Sequence, residues 1–342
     1  MMMRAVGYQG SPSQADHRPL LDIQIPKPQA TGRDLLVRVE AVSLNPVDTK
    51  VRRRESPPAG GWRVLGWDAC GTVDSAGPSV QGFKPGDRIW YAGALDRPGC
   101  NSEWHLVDER LVSQAPSSLS AAEAAALPLT SITAWELLFE RLRLRLDRHA
   151  HRGETLLVVG AAGGVGSILV QLATALTGIT VIATAARKES QRWLQELGVS
   201  RVLNHQQPLR PQLEELGFDA VGRVASLTHS AQHFDALVDL LQPQGALALI
   251  DDPDPAAINV LALKRKSLSL HWELMFTRSL YQTPDMGEQG HILQQVASLV
   301  DRGLLRSTLR NHISPISAET LERAHQQIAS EQSLGKLVLS GW

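Results

Sequence analysis

The stretch Gly160-Ala161-Ala162-Gly163-Gly164-Val165-Gly166 decides the fold of this 342-residue chain. It follows residues 155–159, an apolar run without polar alternation, which is typical of a strand buried on both faces. It precedes residues 167–177, which have helical spacing and stop at Gly178, a favoured residue just past a helix end. A glycine-rich loop between a buried strand and a helix is the setting of the dinucleotide fingerprint, here with alanine at its first position. We therefore predict a nucleotide-binding unit; the alternative is a tight strand–helix turn without a ligand.

The positions of this loop have distinct physical roles in such a site. Gly163 lets the backbone approach a pyrophosphate, and Gly166 lets the helix pack tightly on the strand. The phosphates would rest on free N–H groups at the N-terminus of the helix. The predicted cofactor-binding residues of the loop are Ala161, Ala162, Gly163, Gly164, Val165 and Gly166.

The rest of the chain shows two different sequence patterns. Around the loop, strands predicted at residues 179–184, 201–203, 219–223 and 245–250 alternate with helical stretches, which implies βαβ crossovers and a parallel sheet. The first third instead has short strands between Gly/Pro turns, at residues 35–43, 68–75 and 88–92, which is typical of a small β-barrel domain. A capping box at residues 120–123 opens an Ala-rich helix between them. We predict domains at 1–125 and 126–304, with a C-terminal segment, about 305–342, that carries a final strand at 336–339.

Composition excludes several classes of protein. The 34 Lys and Arg residues balance 35 Asp and Glu, so no basic surplus indicates a nucleic-acid partner. Hydrophobic residues make up 43% of the chain, which argues against disorder. Cys70 and Cys100 are too few for a disulfide framework and fit a reducing compartment. Neither a signal peptide nor an apolar run of the ~20 residues of a membrane span is evident. We predict a soluble, cytoplasmic protein.

The end of the second strand of the nucleotide-binding unit indicates which cofactor is preferred. Sites for NADH usually carry a carboxylate there, which binds the ribose hydroxyls. Here Thr184 and Ala185 are followed by Arg187 and Lys188, although Glu189 lies close by. A guanidinium can grip a 2′-phosphate that a carboxylate would repel. The sequence therefore favours NADPH; the alternative is an exposed basic pair at the start of a helix.

Several further motifs accompany the loop. They are residues 42–50 (VSLNPVDTK), 65–68 (LGWD), 107–110 (VDER), 276–278 (FTR) and 335–338 (GKLV). With them, nearly the whole chain resembles the medium-chain dehydrogenase/reductase superfamily, and most of all its quinone-oxidoreductase branch, often labelled zinc-type alcohol dehydrogenase-like. The resemblance implies an α/β protein with a GroES-like β-barrel domain and a Rossmann domain, that is, a doubly wound parallel sheet. It also implies that the C-terminal segment returns to the first domain and that the active site lies in the cleft between the domains.

The resemblance implies no metal site. Zinc-dependent relatives use a Cys, a His and a second Cys or Asp as ligands. Their positions look like Asn45, the run Gly66-Trp67-Asp68, and Leu129 in this sequence. Without a Lewis acid, simple alcohol oxidation is disfavoured. A quinone or an α,β-unsaturated carbonyl accepts hydride readily, and the protein then needs only orientation, a few donors and a dry pocket.

Three candidate catalytic residues follow from the resemblance. Asn45 would hydrogen-bond the substrate or the nicotinamide ribose, and Lys50 would stabilise an oxyanion or relay a proton; Asp48 lies between them. The alternatives are a turn before Pro46 for Asn45 and a helix cap for Asp48. Relatives carry a tyrosine near the Lys50 position, so the proton donor stays open, with bulk water as one source.

The resemblance also places further residues around the cofactor. Thr133 would contact the nicotinamide, and Ser226 and Leu227 would pass its ribose. Phe276 would touch the carboxamide through its backbone, Lys336 would approach the adenine-side phosphates, and His205 would flank the 2′-phosphate.

These observations together predict a zinc-independent, NADPH-dependent reductase of a small-molecule quinone or activated enone. One alternative is a double-bond reductase of alkenals or enoyl thioesters with the same cofactor. Another is a non-catalytic NADPH-binding protein, since relatives of this fold serve as lens crystallins or RNA-binding proteins. We expect neither a nucleic-acid nor a membrane partner, and a homodimer is expected by family analogy alone.

Overall fold

The computed structural model describes residues 1–10, 18–57, 59–330 and 333–342. The chain divides into two units, Met1–Ile132 with Phe276–Trp342, and Thr133–Met275. The α-helices are α1 (Pro46–Arg54), α2 (Ala121–Ala125), α3 (Pro128–Trp135), α4 (Gly164–Leu176), α5 (Lys188–Glu196), α6 (Leu209–Glu215), α7 (Ser230–Leu240), α8 (Thr277–Tyr281), α9 (Glu288–Asp301) and α10 (Ala318–Ala329). Short 3₁₀ helices span Glu109–Leu111, Pro255–Ala257 and Val260–Lys266, and a π-helical segment spans Glu136–Arg141.

The first unit is built on two sheets that are antiparallel except for the parallel pair of β15 and β16. Its strands are β1 (Met2–Tyr8), β2 (Leu21–Pro26), β3 (Asp34–Ser43), β4 (Arg63–Val64), β5 (Ala69–Ala76), β6 (Arg88–Tyr91), β7 (Trp104–Asp108), β8 (Val112–Gln114), β15 (Leu309–Ile313) and β16 (Lys336–Ser340). One sheet has the order β2-β1-β4, and the larger has the order β15-β16-β3-β5-β6-β8, with β7 also paired to β3. Val338 on β16 lies opposite Ser43 on β3. The C-terminal segment therefore joins the sheet of the first third of the chain.

The second unit is a parallel sheet. Its strands are β9 (Thr155–Val159), β10 (Thr180–Thr184), β11 (Arg201–Leu203), β12 (Val221–Ser226), β13 (Leu241–Leu249) and β14 (Ser269–Trp272), in the order β11-β10-β9-β12-β13-β14. Every β9 residue is buried, as its continuous apolar run requires. The strand order reverses direction on either side of β9, so the loop after β9 lies where doubly wound sheets bind ligands.

The unit boundaries differ from those expected at residues 125 and 304. The capped helix α2 does not open the second unit, because Ser307 Oγ donates to the Glu123 carbonyl and Thr308 Oγ1 to that of Ala126. Helix α9 also belongs to the first unit. A Cβ on Gly290 would stand 2.8 Å from the carbonyl oxygens of both Arg110 and Val112, so α9 lies directly against this segment.

Among the described residues, no helix is both long and apolar enough to cross a bilayer.

Candidate functional site

The glycine loop after β9 leads directly into α4. Gly160 has a φ of 76°, which favours glycine, and Gly163 is the extended N-cap of the helix. A Cβ on Gly166 would stand 2.5 Å from backbone atoms of Ala161, so this glycine permits the close approach of helix and strand. A Cβ on Gly163 would meet one atom within 4 Å among the described residues, the Gly160 carbonyl oxygen at 3.5 Å. The space above Gly163 is therefore open, as a pyrophosphate site requires, and the first amides of α4 lack intrahelical acceptors.

The ends of the neighbouring strands surround this loop. Gly160 N–H donates to Thr184 Oγ1 at the end of β10, at 3.4 Å. Leu227 N–H donates to the Val159 carbonyl at 3.1 Å, which brings the residues after β12 against the end of β9. Ser226 is fully buried, and its hydroxyl is 2.8 Å from that of Ser230. The expected cofactor residues of the loop, of β10 and of β12 thus lie at one edge of the sheet.

The residues expected near the 2′-phosphate follow the ends of β10 and β11. Thr184 lies opposite Leu203 in the register of β10 and β11, and Ala185 N–H donates to the Leu203 carbonyl at 2.9 Å. Arg187 is exposed at the N-cap of α5, three residues beyond the end of β10. His205 lies two residues beyond the end of β11 and is partly buried. A cation and an imidazole therefore follow adjacent parallel strands.

A buried polar cluster occupies the first unit. The Lys336 ammonium on β16 donates to the Leu44 carbonyl at 2.8 Å, to Asn45 Oδ1 at 2.5 Å and to Asp68 Oδ2 at 2.9 Å. Asn45 Nδ2 donates to the same Asp68 oxygen at 2.8 Å, and the Leu129 amide donates to Asp68 Oδ1 at 2.7 Å. The Asp68 side chain is fully buried and that of Lys336 is 3% exposed. Each ammonium hydrogen has an acceptor, so the cluster is internally satisfied.

Asp48 adjoins this cluster. It is the third residue of α1, and its Oδ2 accepts the Asn45 N–H at 2.8 Å, which caps the helix. Its Oδ1 has no hydrogen-bond partner among the described residues. Burial raises the pKa of Asp48 to about 7, against the opposing effects of the Asn45 amide and the Lys336 ammonium. This carboxyl group can therefore hold a proton near neutral pH.

The donor set of the cluster does not fit zinc. The three positions that look like zinc-ligand positions are Asn45, Trp67 and Leu129. Asn45 accepts from the Lys336 ammonium, a cation that cannot be a ligand, and Trp67 donates its indole N–H to the Ala94 carbonyl at 3.1 Å. Leu129 has an apolar side chain and offers Asp68 only its backbone amide. The nearby Cys100 thiol donates to the Asp68 carbonyl at 3.4 Å, and burial raises its pKa, so it is held as the neutral thiol. Among the described residues, no group of three or more His, Cys, Asp or Glu side chains could hold a metal ion.

Other expected site residues are placed separately. Lys50 is half-buried on α1, about 200° around the helix from Asp48 at 3.6 residues per turn. Thr133 is buried on α3, and the buried Phe276 accepts the Leu280 amide through its carbonyl. Lys336, expected near the cofactor phosphates, instead directs its ammonium to three acceptors of the first unit. Asp68, absent from the candidates above, proves central; the run Gly66-Trp67-Asp68 was its only signal.

Comparisons with known proteins agree with this architecture. Residues 31–117 match the alcohol dehydrogenase GroES-like domain, and residues 197–339 match the zinc-binding dehydrogenase family. A zinc-type alcohol dehydrogenase-like protein of Staphylococcus aureus is 37% identical over 92% of both chains. A quinone-oxidoreductase homolog of Spinacia oleracea chloroplasts is 31% identical over 60% of this chain and 62% of its own.

Solved structures extend the comparison. A candidate zinc-dependent alcohol dehydrogenase of Rhizobium etli is 49% identical and superposes with a TM-score of 0.94, covering 100% of this chain and 99% of its own. A mycobacterial protein solved with NADPH is 28% identical, with a TM-score of 0.81 and 99% of each chain covered. The predicted fold class is confirmed: a GroES-like domain and a Rossmann-like parallel-sheet domain.

Proposed function

This chain belongs to the medium-chain dehydrogenase/reductase superfamily of oxidoreductases, and from that premise we propose that it is a zinc-independent, NADPH-dependent reductase of a quinone or an activated enone. The observation that carries the proposal is the open space above Gly163 at the N-terminus of α4. At Gly166, by contrast, the Ala161 backbone leaves no room for a side chain. The protein similar to this chain that was solved with NADPH supports the same cofactor.

The choice of NADPH rests on the end of β10. Thr184 and Ala185 offer no carboxylate to a ribose, whereas the exposed Arg187 follows them at the N-cap of α5. When bound, NADPH supplies the hydride that reduces the substrate. The residues of this chain hold its phosphates on the amides of α4 and favour a 2′-phosphate through charge.

The substrate class rests on the donor set of the buried cluster. Because the Lys336 ammonium takes the centre of that cluster, Asn45 and Asp68 are not arranged to hold a Lewis acid. A quinone or an enone needs none, since its reduced anion is delocalised over the conjugated system. The spinach quinone-oxidoreductase homolog supports this class.

Asn45, Asp48 and Lys50 are the proposed catalytic residues. Asn45 is held by Lys336 and Asp68, which fixes the orientation of its amide. The proposed role of Asp48 is to hold a proton at its carboxyl group, because burial raises its pKa to about 7. The proposed role of Lys50 is to stabilise an anionic oxygen with its ammonium. Reduction of alkenals or enoyl thioesters would use the same residues with a different pocket.

The test is NADPH consumption by the purified chain with a panel of quinones, alkenals and enoyl thioesters. We expect consumption with quinones or enones, unchanged by a chelator, and well under one zinc per chain by elemental analysis. Stoichiometric zinc whose removal abolishes turnover would contradict the proposal. NADPH binding without turnover of any acceptor would instead favour a non-catalytic NADPH-binding protein. A homodimer and a cytoplasmic location stay predictions.

A further inference from the structure

Three histidines gather beyond the ends of β11 and β12. His205 follows β11, His229 is the N-cap of α7, and His233 lies one turn further along the same helix. The His205 and His233 rings are 6.1 Å apart between centroids and inclined at 67°. His229 precedes the helix in a left-handed backbone conformation, and it is near enough for its charge to lower the pKa of both His205 and His233. The three imidazoles thus form a cluster, called here the histidine cluster.

The histidine cluster is only partly satisfied. His229 Nδ1 is 2.8 Å from Thr228 Oγ1, whereas His205 Nδ1 is buried and has no hydrogen-bond partner among the described residues. His233 is 8% exposed. A buried imidazole nitrogen without a partner is costly unless a ligand or water satisfies it. The cluster therefore retains capacity for a further polar group.

The charged and titratable groups around the cluster are its own rings and the residues that follow the neighbouring strands. Burial and the charge of His229 lower the pKa of His205; burial, His205 and His229 lower that of His233. At the adjacent end of β13, Asp251 Oδ2 accepts the Ser230 amide at 2.8 Å. Beyond β10 the charged residues are Arg187, Lys188 and Glu189. Since each protonated ring disfavours protonation of the next, the pKa values of His205 and His233 lie below the ordinary histidine value in the absence of an anion.

We propose that the histidine cluster makes the preference for NADPH over NADH depend on pH, through contact of His205 with the 2′-phosphate. This inference rests on the proposed function, since it requires the 2′-phosphate to lie beyond the ends of β10 and β11. A phosphate dianion relieves the mutual repulsion of the rings and pairs with an imidazolium, so binding takes up a proton. NADPH affinity must then rise as the pH falls from 8.5 towards 6.5. NADH has no such phosphate and should show no matching rise.

The test is fluorescence titration of the full-length protein with NADPH and NADH at pH 6.5, 7.5 and 8.5 and constant ionic strength. We expect the Kd of NADPH to fall about tenfold from pH 8.5 to 6.5, as uptake of up to one proton allows, and that of NADH to change less than about twofold. His205→Gln and His233→Gln should each flatten the NADPH profile. His291→Gln is the matched control, because that exposed histidine lies on α9 in the other unit. Circular dichroism checks that each variant is folded.

Calorimetry provides a second readout. Titration of NADPH in buffers of different ionisation enthalpy measures proton uptake directly, and we expect uptake for the wild type that His205→Gln reduces. Equal pH profiles for the two cofactors, or an NADPH profile that both glutamine variants leave unchanged, would overturn the inference while leaving the proposed function intact. Failure to bind NADPH at any of the three pH values would overturn the proposed function and this inference with it.

Discussion

The Lys336 ammonium lies 2.9 Å from Asp68 Oδ2, and the two side chains are buried together within the first unit. Lys336 begins the last strand, β16, and Asp68 directly precedes β5, so one ion pair joins residues 268 positions apart. Asn45 completes the arrangement by bonding to both side chains. Removal of one partner from a buried ion pair lowers the free energy of unfolding by far more than the intact pair contributes to it. The reason is that the remaining charge stays buried without compensation for its lost hydration.

Removal of one partner should therefore be severe. Lys336→Met should lower the free energy of unfolding by about 3–5 kcal/mol, because it leaves the Asp68 carboxylate buried and unpaired. The double variant Lys336→Met/Asp68→Asn should lose less than the sum of the two single variants. Urea denaturation of all four proteins measures this coupling. Strictly additive losses would show that the ion pair is not the source of the effect.

Gly163 and Gly166 should respond to valine in opposite ways. Gly163→Val should leave the circular dichroism spectrum unchanged and weaken NADPH by at least about tenfold, since its side chain enters the open space where phosphate is expected. Gly166→Val should instead lower the melting temperature, because the new Cβ would stand 2.5 Å from the Ala161 backbone. Unchanged NADPH affinity in Gly163→Val would mean that the loop is only a turn.

Arg187→Ala should weaken the binding of NADPH much more than the binding of NADH. A charge-assisted contact contributes on the order of 1.5–3 kcal/mol, so NADPH should bind roughly 10–100 times more weakly to this variant while NADH is nearly unaffected. Added salt should reduce the NADPH preference of the wild type, because Arg187 is exposed. Arg192→Ala, on the exposed side of the same helix, is the control. Equal losses for both cofactors would place Arg187 away from the 2′-phosphate.

Asp48 should leave a signature in the pH dependence of stability. Burial raises its pKa from 3.8 to about 7, so between these values the folded chain binds more protons at this site than the unfolded chain. Its contribution to the free energy of unfolding therefore falls as the pH rises from about 4 to about 7, and is constant above that range. Asp48→Asn retains an acceptor for the Asn45 amide but cannot titrate. The free energy of unfolding of the wild type minus that of this variant, measured by urea denaturation, should fall over this pH range. A difference that does not change with pH would contradict the raised pKa.

Much of the second unit could be predicted from the sequence because its signals are local. The strand at residues 155–159 and the helix ending before Gly178 follow from apolar runs and one terminating glycine, and both are found in place. The location of Thr184 at the end of β10 and of Arg187 just beyond it follows from the position of that one strand in the sequence. Strand β14 was missed, because four residues of mixed polarity give no periodicity. Trp272 on that strand is 51% exposed.

The first unit was less predictable because its site is assembled from distant segments. Asn45, Asp68 and Lys336 come from three separate parts of the chain, and nothing local to Lys336 distinguishes a buried ammonium from one that meets a phosphate. The unit boundary was misplaced for the same reason. Helix α2 has a clear capping box, but its partners Ser307 and Thr308 lie almost two hundred residues away, at separations of 184 and 182.

The pairing of β16 with β3 has a consequence for the order of events at the ribosome. The second unit, Thr133–Met275, is continuous, so all of its strands have left the exit tunnel while β16 is still untranslated. Until β16 is synthesised, Ser43 and Val42 on β3 lack their strand partners. The sheet of the first unit therefore keeps an unpaired strand edge at a time when the second unit can already fold. Co-translational folding should therefore proceed from the middle of the chain outwards, with Asp68 acquiring its counter-ion among the last contacts made.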